Sequence, residues 1–232
     1  LLEEKERRKK TRKLYSYYPD AGPLRRELYT EHMRFFEEGA KKTERLFMAA
    51  NRIGKTEGAG GYELALHLTG QYPPWWQGRR FDRPVSCWAA GDTSKTVKEI
   101  IQFKLLGKFT EFGTGLIPQD AIVKTTTKLG TAEAVDTINV KHVSGGISEV
   151  ALKSYDQRRI SFQGTEKDVI WLDEEPPLDI YVECLTRTMD TTGKSSGIIM
   201  LTFTPLMGMS ETVLSFLQGG EVKESSEGQK SV

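Results

Sequence analysis

The chain has 232 residues, and its formal net charge of +1 with 28% charged residues excludes a surface that is basic as a whole. Any DNA contact must therefore be local. A hydrophobic fraction of 38% suits one large α/β domain with a sizeable core. Cys87 and Cys184 stand alone in apolar surroundings, which indicates buried reduced thiols rather than a disulfide framework. No apolar run reaches the length of a membrane span and no signal-peptide core is visible, so we expect no membrane partner.

The N-terminal segment, residues 1–20, is predicted to be a charged helix or arm. Residues 1–14 are dense in Lys, Arg and Glu and are expected to be solvated, and a tyrosine-rich turn follows at residues 15–23. The first residue is Leu rather than Met, which indicates a fragment. An amphipathic stretch follows at residues 24–38.

Residues 45–56 are typical of an apolar strand that breaks into a Gly-Lys-Thr turn and opens a helix. This is the phosphate-binding arrangement of P-loop ATPases, in which loop amides and the helix N-terminus converge on phosphate oxygens. Lys55 would neutralise the β and γ charges of ATP, and the Thr56 hydroxyl would ligate Mg²⁺. The predicted nucleotide-binding residues are Ala49, Ala50, Asn51, Arg52, Ile53, Gly54, Lys55 and Thr56.

This loop departs from the common pattern at its first position, where Ala49 stands in place of glycine. Alanine fits only if the backbone there keeps a negative φ, so we interpret the loop as a variant P-loop, the alternative being an ordinary loop. The stretch at residues 24–38 directly precedes the strand, so its aromatic rings are candidates for contact with adenine. These are Tyr29, His32 and Phe36, and plain core packing is the favoured alternative for them.

The middle of the chain alternates loops, strands and one helix. Trp75 and Trp76, beside two arginines in an irregular loop at residues 72–83, either stack on bases or a partner or pin the loop into the core. A strand is predicted at residues 85–90, a helix from residue 94 to about 106, and strands at residues 138–143, 148–154 and 159–163.

The second motif follows four apolar residues at 169–172, which are typical of a buried central strand. Asp173 at its C-terminal end would hold Mg²⁺ through water, and Glu174 would activate the attacking water as general base. Glu175 points away from Glu174 by strand alternation, which indicates a capping or supporting residue. A solvated acidic turn is the alternative, but both motifs occur in the expected order, each on a predicted strand.

A last apolar strand at residues 196–205 ends in hydroxyl residues. These elements predict an α/β protein, a P-loop NTPase of the additional-strand catalytic-Glu (RecA-like) type. Its mostly parallel central sheet would be flanked by helices, with at least one strand between the P-loop strand and the acidic strand. The ATPase domain is predicted to span residues 21–209.

Three segments together, AANRIGKTEG, VIWLDEEP and LTFTP, resemble the ATPase domain of the large terminase subunit of tailed bacteriophages, the motor that packages DNA into a preformed capsid. The resemblance covers residues 17–217. It implies that Lys55 and Thr56 bind the triphosphate and Mg²⁺, that Asp173 is the metal residue and that Glu174 is the base. It further implies that Arg52 acts on the phosphates. Thr202 and Thr204 would sense the γ-phosphate and relay hydrolysis to movement.

An arginine from a neighbouring subunit often stabilises the transition state in ring ATPases. The candidates are Arg158 and Arg159, which precede the acidic strand. Adjacent residues on a strand face opposite ways, so at most one of them should serve, and a surface ion pair is the alternative.

The resemblance implies double-stranded DNA, the small terminase subunit and the capsid portal as partners, in the cytoplasm of the infected bacterial host. A homo-oligomeric ring is expected on the portal and a monomer for the isolated domain. Large terminases normally carry a C-terminal nuclease, but residues 206–232 number only 27, whereas such a domain needs on the order of 100 residues. Residues 210–232 are therefore expected to be the start of a lid or linker with a polar tail, without nuclease activity.

Two rival functions share part of this pattern. A RecA-like helicase or recombination ATPase carries both catalytic motifs and would be stimulated by single-stranded nucleic acid. A catalytically silent nucleotide-binding scaffold is the other alternative, and Ala49 is the best argument for it.

Overall fold

A computed structural model of the protein describes residues 11–189, 197–205, 208, 210–218, 221–222 and 230–231. Its strands are β1 Glu44–Met48, β2 Ser86–Gly91, β3 Ile122–Thr127, β4 Val135–Lys141, β5 Ile147–Ser154, β6 Val169–Asp173, β7 Ile198–Phe203, β8 Leu217–Gln218, β9 Glu221–Val222 and β10 Lys230–Ser231.

Five helices are described in the same residues. They are α1 Thr30–Glu38; α2, with a π-helical start at Lys55–Gly61 and an α-helical part at Tyr62–Thr69; α3, made of Ser94–Thr96, Val97–Gln102 and Phe103–Leu106; α4 Leu178–Arg187; and α5 Glu211–Phe216. Short 3₁₀ turns lie at Lys13–Ser16, Arg26–Leu28, Gln119–Ala121, Tyr155–Gln157 and Arg159–Phe162. None of the helices in the described residues has the length and apolar character needed to cross a membrane.

One eight-stranded sheet has the order β10-β1-β7-β6-β2-β5-β4-β3, and β8 pairs with β9 separately. Strands β1, β7, β6, β2 and β5 run parallel, and the hairpin of β3 and β4 is antiparallel at one edge. Strand β7 lies between the P-loop strand β1 and the acidic strand β6, which confirms the predicted additional strand.

Both faces of this sheet are covered by helices because its central strands are apolar on both sides. In β6, Val169 and Trp171 pack into the core formed with α1, α2 and α3. Ile170 and Leu172 face the opposite core, formed with α4 and α5. The alternation holds β6 in one register, which fixes where Asp173 emerges.

The predicted strand at residues 159–163 is wrong. A capping box between Ser154 and Gln157 ends β5, and Arg158 takes a left-handed φ of 60° that turns the chain into the 3₁₀ turn Arg159–Phe162. Phe162 is then buried against Trp88, with ring centroids 5.7 Å apart. Strand β3 was not predicted. It lies at the edge of the sheet, and its residues do not alternate regularly between buried and exposed positions.

The N-terminal segment packs on the domain where it is described, because Leu14 and Tyr18 are buried in the main core. The expectation of a solvated helix or arm for residues 1–14 therefore does not hold at Leu14. The loop at residues 72–83 is pinned inward: Trp76 is 3% exposed, and Trp75 stacks on Tyr62. Cys87 and Cys184 are buried free thiols, as predicted.

A buried polar network links β1 to α2. Arg45 donates to Glu63 at 2.6 and 3.0 Å and to the Phe35 carbonyl at 2.6 Å, and both charged side chains are fully buried. Burial opposes the charge on Glu63, but Arg45 and His67 outweigh it and lower the pKa of that carboxyl. Burial also lowers the pKa of His67, so its neutral ring donates to Glu63 and accepts from the Tyr72 hydroxyl at 2.8 Å.

Candidate active site

The candidate site lies at the carboxyl edge of the parallel sheet, where ligands bind in α/β folds. Met48 pairs with Phe203, and Asp173 pairs with Thr202, so β1, β7 and β6 end side by side. The loop after Met48, the segment after Phe203 and the acids of β6 therefore meet at one place. Sequence motifs that are far apart in the chain become neighbours here.

The P-loop backbone explains the variant first position. Ala49 is not among the residues with positive φ, which confirms the condition predicted for alanine there. The left-handed positions are Arg52, with φ 66°, and Gly54, with φ 88°. The left-handed conformation costs less free energy at Gly54 than at Arg52, because glycine has no β-carbon and adopts positive φ readily. The site thus keeps a sharply turned loop without a glycine at its start.

Lys55 extends along this loop and satisfies its three donors. Its ammonium donates to the carbonyls of Ala49 and Ala50 at 2.8 and 2.7 Å and to the Thr204 hydroxyl at 2.8 Å. Burial lowers the pKa of Lys55, while Glu174 and Asp173 oppose that shift. The carbonyl and hydroxyl oxygens that accept from Lys55 are neutral. Phosphate oxygens can take their place and form stronger, charge-assisted hydrogen bonds with the ammonium.

Asp173 is held by two hydroxyls. Thr56 donates to its Oδ1 at 3.0 Å and Thr202 donates to the same atom at 2.7 Å. Burial raises the pKa of Asp173 to about 7, its side chain being 3% exposed. A buried carboxylate beside a hydroxyl is an oxygen donor set of the kind that Mg²⁺ prefers, and a cation there would compensate the buried charge. Thr56 and Asp173 therefore fit the predicted metal role.

The two threonines of the last strand occupy different places. Thr202 is buried, accepts from Trp171 Nε1 at 2.7 Å and orients Asp173, so in this structure it contacts the carboxylate rather than the phosphate site. Thr204 lies against the P-loop, 2.9 Å from the Ala49 carbonyl and 2.8 Å from Asn51 Oδ1. Of these two threonines, therefore, only Thr204 is placed to contact a bound phosphate directly.

Gly60 in α2 is a supporting residue that the motif analysis missed. A β-carbon at this position would lie 2.2 Å from Trp171 Nε1, the atom that donates to Thr202. Only glycine lets the helix approach Trp171 this closely. The three glycines among residues 58–61, unusual inside a helix, are the sequence signal for such an approach.

Glu174 follows Asp173 with a left-handed φ of 66°. Its side chain is exposed to the site and makes no hydrogen bond with the described part of the chain. Burial raises the pKa of its carboxyl; Lys55 opposes this shift and Asp92, at the end of the neighbouring strand β2, adds to it. A raised pKa beside a lysine is a suitable state for a general base.

A cavity of about 690 Å³ opens beside the P-loop and is lined by Tyr29, His32, Arg52 and Gly54 among others. The rings of Tyr29 and His32 stack with centroids 5.4 Å apart. His32 is further tied to the Tyr18 hydroxyl at 2.7 Å. Two of the three predicted adenine-side residues therefore border the cavity.

The third candidate, Phe36, follows the favoured alternative of core packing and not the adenine contact. It is 1% exposed and packs against Trp76 and Tyr18 inside the core, with centroids 4.9 and 5.7 Å away. One turn beyond His32 on α1, Phe36 is enclosed by Tyr18, Tyr62 and Trp76 and does not reach the cavity.

Residues 46–232 match the family model of the terminase large subunit, T4likevirus-type, N-terminal. The chain belongs to the large terminase subunit family. A curated relative, the large terminase subunit of Salmonella phage P22, is 38% identical over 252 residues, which cover 100% of this chain and 47% of that protein. The chain thus spans about half the length of this curated relative.

Two solved structures of the large terminase ATPase domain of Thermus phage P74-26 share the fold, one of them a mutant. They have TM-scores of 0.54 and 0.52 at 16% and 15% identity, and each match covers 88% of this chain and 84% of that one. This terminase chain therefore has the RecA-like P-loop fold predicted from its motifs.

Arg158 and Arg159 differ in what holds them. Both lie in turns, so the argument from strand alternation does not apply. Arg159 donates to Glu183 Oε2 at 2.9 Å, which is the surface ion pair weighed as the alternative. Arg158 is exposed, and its guanidinium makes no hydrogen bond or ion pair with the residues described. The geometry leaves Arg158 available to another molecule.

Glu175 leads from the site into the C-terminal helix of the terminase chain. It accepts a hydrogen bond from the Ser210 hydroxyl, and Ser210 caps α5 by accepting from the Val213 amide at 3.2 Å. Thr212 also donates to the Pro176 carbonyl at 3.1 Å. The acidic motif is therefore tied directly to the N-terminus of α5.

Proposed function

We propose that this chain binds ATP with Mg²⁺ and hydrolyses it to drive double-stranded viral DNA into a preformed capsid. The observation that carries the proposal is the meeting of Lys55, at the start of α2, with Asp173 and Glu174, at the end of β6, at one edge of the sheet. Positive charge for phosphates, an oxygen donor for a metal and a carboxylate base are the parts that phosphoryl transfer needs.

Each residue has a defined part in this proposal. The loop amides and Lys55 bind the triphosphate, Arg52 reaches its phosphates from the left-handed turn, and Tyr29 and His32 border the base. Thr56 and Asp173 would hold Mg²⁺, which supplies charge that neutralises the β and γ oxygens. Glu174 takes the proton of the attacking water. Thr204, set between Lys55 and the P-loop, is placed to respond when the γ-phosphate leaves.

The whole assembly is part of the same proposal. Double-stranded DNA, the small terminase subunit and the capsid portal are the proposed partners, with a ring of subunits on the portal. The scaffold alternative loses its main support because Ala49 keeps an ordinary backbone conformation. We retain no second function, since the family match is to large terminases and no contact among the described residues favours a helicase.

Lys55→Ala is expected to abolish ATP turnover and to weaken ATP binding by roughly 10- to 150-fold, the equivalent of about 1.5–3 kcal/mol for a lost charged hydrogen bond. Phosphate release and fluorescent-nucleotide binding measure the two effects. Lys124→Ala, an exposed lysine on β3, is the matched control and should behave as the wild type. Turnover at the wild-type rate in Lys55→Ala would contradict an ATPase, and stimulation by single-stranded rather than duplex DNA would favour the helicase.

Arg158→Ala in the full-length subunit is expected to lower portal-stimulated turnover by about 10³-fold or more, as loss of an arginine finger does. The decisive measurement is a mixture of Arg158→Ala and Glu174→Gln subunits. One variant keeps an intact site and the other keeps the arginine, so activity should reappear if the arginine acts between subunits. Arg159→Ala is the control, since Glu183 holds Arg159. A mixture as inactive as its components would contradict action in trans.

A further inference from the structure

Tyr155 connects β5 to the catalytic turn across the end of β2. It follows β5 directly, and its hydroxyl lies 3.1 Å from the carbonyl oxygens of both Asp173 and Glu174. The side chain is 6% exposed, and its ring packs near Phe162 with centroids 6.4 Å apart. A buried phenol that reaches two strands across the sheet thus ends on the backbone that carries the proposed base.

The turn at Glu174 depends on such support. Glu174 holds a left-handed φ of 66°, a conformation that residues with a side chain adopt only when their surroundings impose it. On one side its amide donates to the Thr202 carbonyl at 3.1 Å. On the other side the Tyr155 hydroxyl binds the two carbonyls.

The direction of the Glu174 carboxylate follows from this backbone. Among the described residues the carboxylate has no hydrogen-bond partner, so no side-chain contact aims it. A rotation of the turn would move the base relative to the attacking water, and small displacements of a catalytic group are costly. We propose that Tyr155 is a positioning residue for Glu174, acting through the backbone of the turn. This inference rests on the proposed ATP hydrolysis.

Tyr155→Phe tests it by removing the hydroxyl while keeping the ring. We expect kcat for ATP hydrolysis to fall about tenfold, the upper range for one lost neutral hydrogen bond, with nucleotide affinity unchanged. The control is Tyr181→Phe, which removes another buried hydroxyl, one that donates to Glu44 away from the site. A wild-type kcat in Tyr155→Phe, or an equal loss in Tyr181→Phe, would overturn the inference.

A double variant tests whether Tyr155 acts through Glu174 or supports catalysis in some other way. In Glu174→Gln the base is absent, so adding Tyr155→Phe should lower the single-turnover rate no further. Losses that multiply would show that Tyr155 acts by another route and would overturn the proposal. Wild-type turnover in Glu174→Gln alone would instead contradict the proposed function, so the two failures are distinguishable.

A second substitution at Tyr155 keeps the inference testable if Tyr155→Phe folds poorly. Tyr155→4-aminophenylalanine retains a ring of similar shape and an N–H donor at the same position. We expect it to restore most of the wild-type kcat, because the carbonyls regain a donor. A kcat as low as that of Tyr155→Phe would overturn the positioning role.

Discussion

Glu174→Gln is expected to lower kcat for ATP hydrolysis by about 10²- to 10⁴-fold, the usual contribution of a general base. Glutamine keeps the size of the side chain but cannot accept the proton of the attacking water. ATP affinity should remain, since Lys55 and the loop amides form the phosphate cradle without Glu174. Phosphate release in single turnover and binding of a fluorescent nucleotide measure the two quantities separately.

Glu175→Gln is the matched control for this experiment. It makes the same chemical change one residue away, at a carboxylate that accepts from Ser210 and not at the site. Its kcat should stay near the wild-type value. A collapse of ATP affinity in Glu174→Gln, with kcat little changed, would mean that Glu174 holds nucleotide rather than activating water.

Glu63→Gln is expected to lower the free energy of unfolding by about 3–5 kcal/mol, because it leaves the fully buried Arg45 without its counter-charge. His67 would also lose the carboxylate that accepts from its ring. Chemical denaturation measures the loss as a shift of the midpoint at constant slope. The effect on kcat should be small where the protein remains folded, since the network lies behind the site.

Two control variants test whether this loss of stability comes from the buried, unpaired charge. Glu111→Gln changes an exposed carboxylate and should stay within about 0.5 kcal/mol of the wild type. Adding Arg45→Met to Glu63→Gln removes the unpaired charge and should recover part of the loss. A loss below about 1 kcal/mol in the single variant would show that Arg45 is compensated by its remaining contacts, such as the Phe35 carbonyl.

Local patterns were sufficient for the catalytic motifs and their strands. The apolar runs before Ala49 and Asp173 predicted β1 and β6, and the run ending near Thr204 predicted β7, which the structure places between them. These predictions succeeded because a central parallel strand is apolar throughout and its carboxyl end carries the ligands. Arg159 and Phe162 misled the same reasoning, since a short apolar segment does not distinguish a strand from a 3₁₀ turn.

The sequence by itself determined that this terminase chain has a P-loop, an acidic strand and a further apolar strand ending in hydroxyl residues, because each is encoded by adjacent residues. Only the tertiary structure decided what supports them: Gly60 beneath Trp171, Glu63 against Arg45, and Tyr155 on the carbonyls of the Glu174 turn. Contacts of this kind join residues that are distant along the chain, and no spacing rule relates them. Their partners are chosen by the packing of the sheet and its helices, which exists only once the chain has folded.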